Sequence, residues 1–363
     1  MPIPLFDTRT PLAALRPELD AAVARVMDSG RFVLGPEVEA FEAEFAAHVG
    51  ARHAIGVANG TDAITIALRA MGVGPGDEVV VPSFTFFASA EAIPPTGATP
   101  VFCDIDLDTF CITAETVHAV LTPRTKAVLA VHLFGNVAPV TAIEALGVPV
   151  LEDAAQAAGS TSVEGRPGAL GAAGTFSFFP SKNLGAFGDG GAITTGDAGL
   201  ADRMRSLRSH GSRDKETFEA LGYNSRLDEL QAAILRVKLP HLDAWADGRR
   251  ASAGHYESAG LGDLVELPVA LPGAAPAWHL YVVRSPRPDS LSSALSAARV
   301  GHRGYYRTPL HRQPALRAFA AATPLPATEE AARTNVALPM NPLLSVRDAA
   351  EVVAAVASAR NGG

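Results

Sequence analysis

The sequence predicts an α/β protein: a large α/β/α domain on a mostly parallel sheet, spanning residues 1–250, followed by a smaller α+β domain over 251–363. Three observations carry the prediction. Between about residues 50 and 200, short apolar runs alternate with helical patterns, as in chained strand–helix–strand units. The runs are nearly continuous in apolar residues, as expected of strands covered on both faces. At 363 residues, the chain is long enough for two cores.

Residues 1–50 read as helical and irregular, a segment that packs on the second domain or on a partner subunit. Residues 54–58 (AIGVA) read as a strand, and Thr61 as the N-cap of a helix over 62–71 whose apolar face holds Ile64, Ile66, Ala67, Leu68 and Met71. Gly74-Pro75-Gly76-Asp77 is a turn before a strand at 78–81. Further strands are predicted at 100–103, 127–131, 148–151, 175–178 and 191–194, and a long amphipathic helix at about 227–257 bridges into the second domain. In parallel sheets of this kind ligands bind beyond the carboxyl ends of the strands, so Asp153, Ser177 and the Gly60-Thr61 turn could meet in one crevice.

Composition narrows the function. A net charge of -8 argues against a nucleic-acid or anionic-membrane surface. No run of 18 apolar residues suggests a membrane span, and the N-terminus has no signal-peptide pattern, so a cytoplasmic location is expected. Cys103 and Cys111 lack metal-ligand spacing and read as buried thiols; no metal site is expected.

The chemistry concentrates at Lys182, in the run SFFPSKNLG, and at Asp153, which ends the apolar run before Ala154 and Gln156. A lysine able to form a Schiff base and an acid able to pair with a pyridinium nitrogen are the minimum equipment of a pyridoxal 5'-phosphate (PLP) enzyme. Each residue also has a plainer explanation. Lys182 could be a surface lysine, although two phenylalanines precede it and a glycine-rich stretch follows it. Asp153 could cap a helix. Gly60 admits close approach of a phosphate to free helix amides, but the same turn is common between strand and helix. Ser177 could donate to that phosphate, and any of the phenylalanines 84, 86 and 87 could stack on a ring or fill a core.

Together these residues resemble the DegT/DnrJ/EryC1/StrS sugar aminotransferases, a family of fold-type I PLP enzymes. The matching segments occur in the family's order: 59–63 (NGTDA), 72–79 (GVGPGDEV), 82–86 (PSFTF), 122–127 (TPRTKA), 131–135 (VHLFG), 152–156 (EDAAQ), 176–178 with 182–185, 222–228 (GYNSRLD) and 309–314 (PLHRQP). The resemblance implies that Lys182 bonds the cofactor and then shuttles the proton. Asp153 would hold the pyridine nitrogen, Phe86 stack on the ring, Gln156 lie beside it, and Gly60, Thr61, Asp62 and Ser177 lie at the phosphate. It implies a homodimer with shared sites, Asn224 reaching the neighbour's cofactor and Arg226 meeting a substrate anion across the interface. Tyr305 and Tyr306 match a substrate-contacting pair, His311 goes with them, and Arg307 could pair with a uronate carboxylate. The implied reaction is transamination of a nucleotide-linked keto-sugar, at C-3 somewhat more than C-4, with L-glutamate as amino donor. Relatives acting on a cyclitol or an aminohydroxybenzoate precursor, a PLP-dependent sugar dehydratase and a non-catalytic regulator are the alternatives. The dehydratases of the family carry histidine at the lysine position, whereas Lys182 is intact here.

Overall fold

The structure is a computed structural model that describes residues 2–319 and 323–359. Among the described residues, seven strands form the central sheet: β1 (His53–Val57), β2 (Glu78–Pro82), β3 (Thr99–Cys103), β4 (Thr125–Val131), β5 (Val150–Asp153), β7 (Ala173–Ser177) and β8 (Gly191–Thr195), in the order β1-β8-β7-β5-β4-β2-β3. A short β6 (Thr161–Ser162) pairs outside the sheet with β9 (Ala274–Ala275). β3, β2, β4, β5 and β7 are mutually parallel. β8 runs antiparallel to both of its neighbours, β7 and β1. Val79, Val80, Val81, Val128, Leu129 and Ala130 are fully buried, as expected of strands sandwiched between two apolar layers.

The helices are α1 (Arg16–Ser29), α2 (Pro36–Val49), α3 (Gly60–Ala70), α4 (Phe87–Glu91), α5 (Ala114–His118), α6 (Val140–Glu144), α7 (Ala198–Arg208), α8 (Glu229–Lys238), α9 (Leu242–Ser258), α10 (Pro288–Ala297), α11 (Pro326–Thr334) and α12 (Val346–Ser358). One face of the sheet packs on α3 and α7 through Ile64, Ile66, Leu68 and Met204. At the β1 edge of the sheet, α2 packs on β1 and α8, where Phe41, Phe45, Phe176 and Phe178 interlock edge to face at 4.9–5.4 Å between ring centroids. Beyond residue 250, β10 (Tyr281–Arg284) pairs antiparallel with β11 (Asn335–Leu338), and α9, α10 and α12 enclose their own core of Tyr256, Tyr281, Leu295 and Val352. The start of the chain joins this part, Ile3 bridging to Val300.

Three expectations need correction. The helix expected at 227–257 is two, α8 and α9, separated by a tight turn at Leu239–His241. Pro240 causes the break: it has no N–H to donate, and its ring crowds the carbonyl four residues earlier. The strand expected at 148–151 begins at Val150, after Pro149, and so carries Asp153 as its last residue. The cap of α3 is Asn59 rather than Thr61, because the Asn59 side-chain oxygen accepts from the Asp62 N–H at 2.8 Å and Thr61 lies within the first turn.

Two buried carboxylates hold the frame. Glu229, at the start of α8, accepts from the N–H groups of Gly35 and Val38 at 2.8 Å and of Glu37 at 3.0 Å, so it satisfies the open amides that begin α2. Glu152 is fully buried beside Asp153 and accepts four hydrogen bonds: from His132 Nε2 at 2.8 Å and from the amides of Gly168, Leu170 and Gly171 at 2.8–2.9 Å. His132 Nδ1 accepts from the Ala138 N–H at 2.9 Å, so the ring proton is on Nε2 and is donated to Glu152.

Candidate active site

At the carboxyl ends of β1, β2, β5 and β7 lies a cleft of about 520 Å³. Gly60, Thr61, Phe86, Asp153, Gln156, Ser177, Lys182, Tyr305 and Tyr306 all line it, so most of the candidate residues read from the sequence meet in one place.

Each is delivered by a local structural cause. The Asn59 cap occupies the Asp62 amide and leaves those of Gly60 and Thr61 without intrahelical partners at the positive end of an 11-residue helix. This corner has no room for side chains. A Cβ on Gly60 would lie 2.8 Å from Ser177 Cβ, and one on Gly191 would lie 2.5 Å from the backbone of Asn59. The result is a notch walled by backbone and the Ser177 hydroxyl, the shape and polarity a phosphate requires.

Asp153 projects from the end of β5. Ser89 Oγ, on α4, donates to Oδ2 at 2.8 Å and the Ala155 N–H donates to Oδ1 at 3.1 Å. Both oxygens keep accepting capacity, so the carboxylate can also take a ring N–H. Phe86 is half-exposed over the cleft, 6.0 Å from the Tyr306 ring, whereas Phe84 is fully buried in the core. Gln156 Oε1 accepts from the Phe134 N–H at 2.7 Å and its Nε2 donates to the Tyr306 hydroxyl at 3.2 Å. Burial pushes the Tyr306 phenol up from its ordinary range.

Lys182 stands on the loop between β7 and β8, where its N–H donates to the Phe179 carbonyl at 2.8 Å. Burial lowers its ammonium from 10.5 to about 8, against the nearby Asp153 charge, which acts the other way. A lysine in that range supplies free amine near neutral pH, as a nucleophile or a proton-transfer base requires.

Several candidates lie elsewhere. Asp62, Asn224 and Arg226 do not line the cleft of their own chain, and Asn224 is exposed. Arg307 folds back over Gly304 and donates to the Arg333 carbonyl at 3.2 Å. His311 is taken up by Ser83 Oγ at 2.7 Å and Glu329 at 2.9 Å, and so ties the 309–313 segment to the exit of β2 that leads to Phe86.

Sequence reasoning missed Ser89, Phe6, Asp189 and His279, all on the cleft wall. Ser89 is one turn past Phe86, and its role follows only from the Asp153 contact. His279 lies about a hundred residues beyond Lys182 in the chain, and no local pattern marks it. A second cleft of about 1040 Å³, between the α1 segment and α8–α9, reaches Lys182 from the other side and contains Lys238 and Arg249. Burial lowers these two cations to about 8 and about 10.

The sequence and the fold have close counterparts. A family model described as the DegT/DnrJ/EryC1/StrS aminotransferase family matches residues 14–357. The dTDP-3-amino-3,4,6-trideoxy-alpha-D-glucose transaminase of Streptomyces venezuelae is 47% identical, over 98% of this chain and 95% of its own. A UDP-N-acetyl-3-dehydro-alpha-D-glucosamine 3-aminotransferase of Acidithiobacillus ferrooxidans is 43% identical over 99% and 98%. The crystal structure of S. venezuelae DesV in complex with a ketimine intermediate matches with a TM-score of 0.95 at 46% identity, covering 98% of each chain.

Proposed function

This chain belongs to the DegT/DnrJ/EryC1/StrS aminotransferase family, and from that premise we propose that it transfers the amino group of L-glutamate to the C-3 carbonyl of a nucleotide-linked keto-sugar, using PLP. The observation that carries the reading is the convergence of Lys182, Asp153, Phe86 and the Gly60–Ser177 notch in one cleft. The residues fit the cofactor. The notch would hold its phosphate, Phe86 would lie against the ring, and Asp153 would accept the ring N–H, with Ser89 and Ala155 fixing the carboxylate. When bound, PLP supplies the electron sink for breaking the bond to the proton at the amino-bearing carbon. Lys182 would accept that proton and return it two bonds away, on the far side of the amino nitrogen, a task suited to an amine lowered to about 8. Gln156 and Tyr306, joined by their hydrogen bond, close the wall facing the acceptor.

The C-3 preference is supported by the relatives, whose names place the amino group or the carbonyl at that carbon. The active unit is a homodimer, and Asn224 and Arg226, outside their own cleft, serve the partner's site. The unit beyond residue 250 brings Tyr305 and Tyr306 to the acceptor. Cys103 and Cys111, buried and unpaired, support a reducing cytoplasmic setting.

The test is the visible spectrum of the PLP-reconstituted protein. The cofactor band should bleach with L-glutamate, form 2-oxoglutarate stoichiometrically, and return only with particular nucleotide-linked 3-keto-sugars. A band that glutamate leaves untouched, or that 4-keto-sugars alone restore, overturns the donor or the regiochemistry.

A further inference from the structure

His279 is 4% exposed, yet it lines the same cleft as Lys182, and its Nδ1 has no hydrogen-bond partner among the described residues. A buried polar atom left unpaired is costly, and where one persists it marks a strained or functional position. The backbone around it is unusual as well. Trp278, immediately before it, has φ +36°, and the segment facing it has Phe134 at +58° and Gly135 at +94°. Left-handed backbone at bulky residues such as Phe and Trp persists only where surrounding structure enforces it.

That enforcement is visible. The Ala277 N–H donates to the Gly135 carbonyl at 3.1 Å and to Ser160 Oγ at 3.0 Å. Buried Arg249 donates to the Trp278 carbonyl at 3.1 Å. A Cβ on Gly135 would lie 2.8 Å from the amide nitrogens of both Trp278 and His279, so only glycine allows the two segments to lie this close. The Lys182 loop is tied to the same place: Asn183, the next residue, donates from Nδ2 to the Ala277 carbonyl at 3.1 Å. Two segments remote in sequence are therefore clamped so that one imidazole, with a buried and unused nitrogen, lines the cleft that Lys182 also lines.

We propose that His279 is a positioning residue for Lys182: its uncharged imidazole accepts an N–H of the lysine amine at Nδ1 once that amine is free, and so directs the amine's lone pair at the proton it must take. An uncharged ring is the form this environment favours. Burial, with Lys182 and Arg249 close by, holds the imidazolium well below its ordinary range. The inference rests on the assignment of Lys182 as the cofactor-bonding lysine.

The test uses PLP-loaded enzyme carrying His279→Phe, which keeps a flat ring without a polar atom, and the pair His279→Asn and His279→Gln. The Asn amide overlays Nδ1, and the Gln amide overlays Nε2. The measurements are cofactor affinity, the single-turnover rate of the glutamate half-reaction, and its isotope effect with glutamate deuterated at the α-carbon. His279→Phe should slow the single turnover by ~10–100-fold with a larger isotope effect and a cofactor affinity close to wild type. His279→Asn should recover most of the rate, and His279→Gln should not. Equal rates for Asn and Gln, or an unchanged isotope effect in both, overturn the proposal, and the Asn–Gln comparison stands if the Phe variant does not fold. Borohydride reduction of wild-type enzyme followed by peptide mapping separates the two levels. Cofactor fixed to a residue other than Lys182 refutes the assignment of the lysine, whereas cofactor fixed to Lys182 with indifferent His279 variants refutes only the positioning role.

Discussion

Replacing Glu152 by Gln should cost the protein ~2–5 kcal/mol of stability, although it adds no volume and alters no side chain of the cleft. The carboxylate spends both oxygens on donors: Oε2 on His132 and the Gly168 amide, Oε1 on the amides of Leu170 and Gly171. An amide at this position must turn its NH2 toward one pair, so two of the four contacts become donor facing donor. His132 cannot compensate by moving its proton, because Nδ1 is already accepting from Ala138. At ~1.5–3 kcal/mol for each hydrogen bond to a charged group, two lost bonds amount to ~3–6 kcal/mol, and the surviving pair weakens with loss of the charge. Relief from burying a carboxylate offsets part of this. Urea unfolding of the cofactor-free protein, followed by far-UV circular dichroism and by tryptophan fluorescence, measures the difference. Glu164→Gln is the control: Glu164 is exposed and accepts one bond from Thr141, so its change should stay within ~0.5 kcal/mol. A Glu152→Gln loss below ~1 kcal/mol would refute the assignment of four charge-assisted bonds.

Two further outcomes are expected. In the cofactor-free protein Lys182→Met should be stabilising. Burial lowers the Lys182 ammonium to about 8, so between pH 8 and 10.5 the unfolded chain binds more protons than the folded one, and wild-type stability rises through that window. The gap in melting temperature between variant and wild type should therefore be widest below pH 8 and narrow toward pH 10.5; a flat gap would contradict the buried-amine assignment. Subunit mixing tests the shared site. Lys182→Ala and Asn224→Ala proteins, each weakly active alone, should regain activity when refolded together, because the hybrid holds one site with Lys182 from one protomer and Asn224 from the other. No recovery above the separate activities would place Asn224 in its own chain's site.

Much of the fold was legible because its signals are local. The valines of β2 and the apolar run of β4 read as interior strands at that length, and Asp153, Ser177 and Lys182 lie at or just past strand ends, which a parallel sheet points toward one edge. What escaped the sequence was long-range or depended on competition between neighbours. Asn59 and Thr61 are both acceptable caps, and only the backbone geometry decides between them. Pro240 is visible, yet the apolar periodicity on both sides of it conceals the break. Glu229 and Glu152 look like ordinary acids because their partners are amides of segments that no pattern links to them. Arg307 has the right charge and place in the chain for an anion, but its side chain folds over Gly304, away from the cleft. His279 enters the cleft only through the pairing of left-handed segments around residues 134 and 278, a conformation whose one mark in residue type is Gly135.

The reversed strand β8 has a consequence for how this protein could diversify. Because β7 and β8 form an antiparallel pair closed at Ser177 and Gly191, the Lys182 loop begins and ends on adjacent strands, and its closure is settled within a short span of chain. The phosphate notch, Asp153 and Phe86 all precede Thr195, and Asn224, proposed to reach the partner's cofactor, follows soon after, so the residues proposed to seat the cofactor all lie before residue 225. Tyr305 and Tyr306, on the acceptor's side, come much later. A recombination event between His279 and Tyr305 would exchange the tyrosine pair while leaving the cofactor's seat and the lysine with its histidine inherited whole, so this part of acceptor choice can vary as a separate unit of descent.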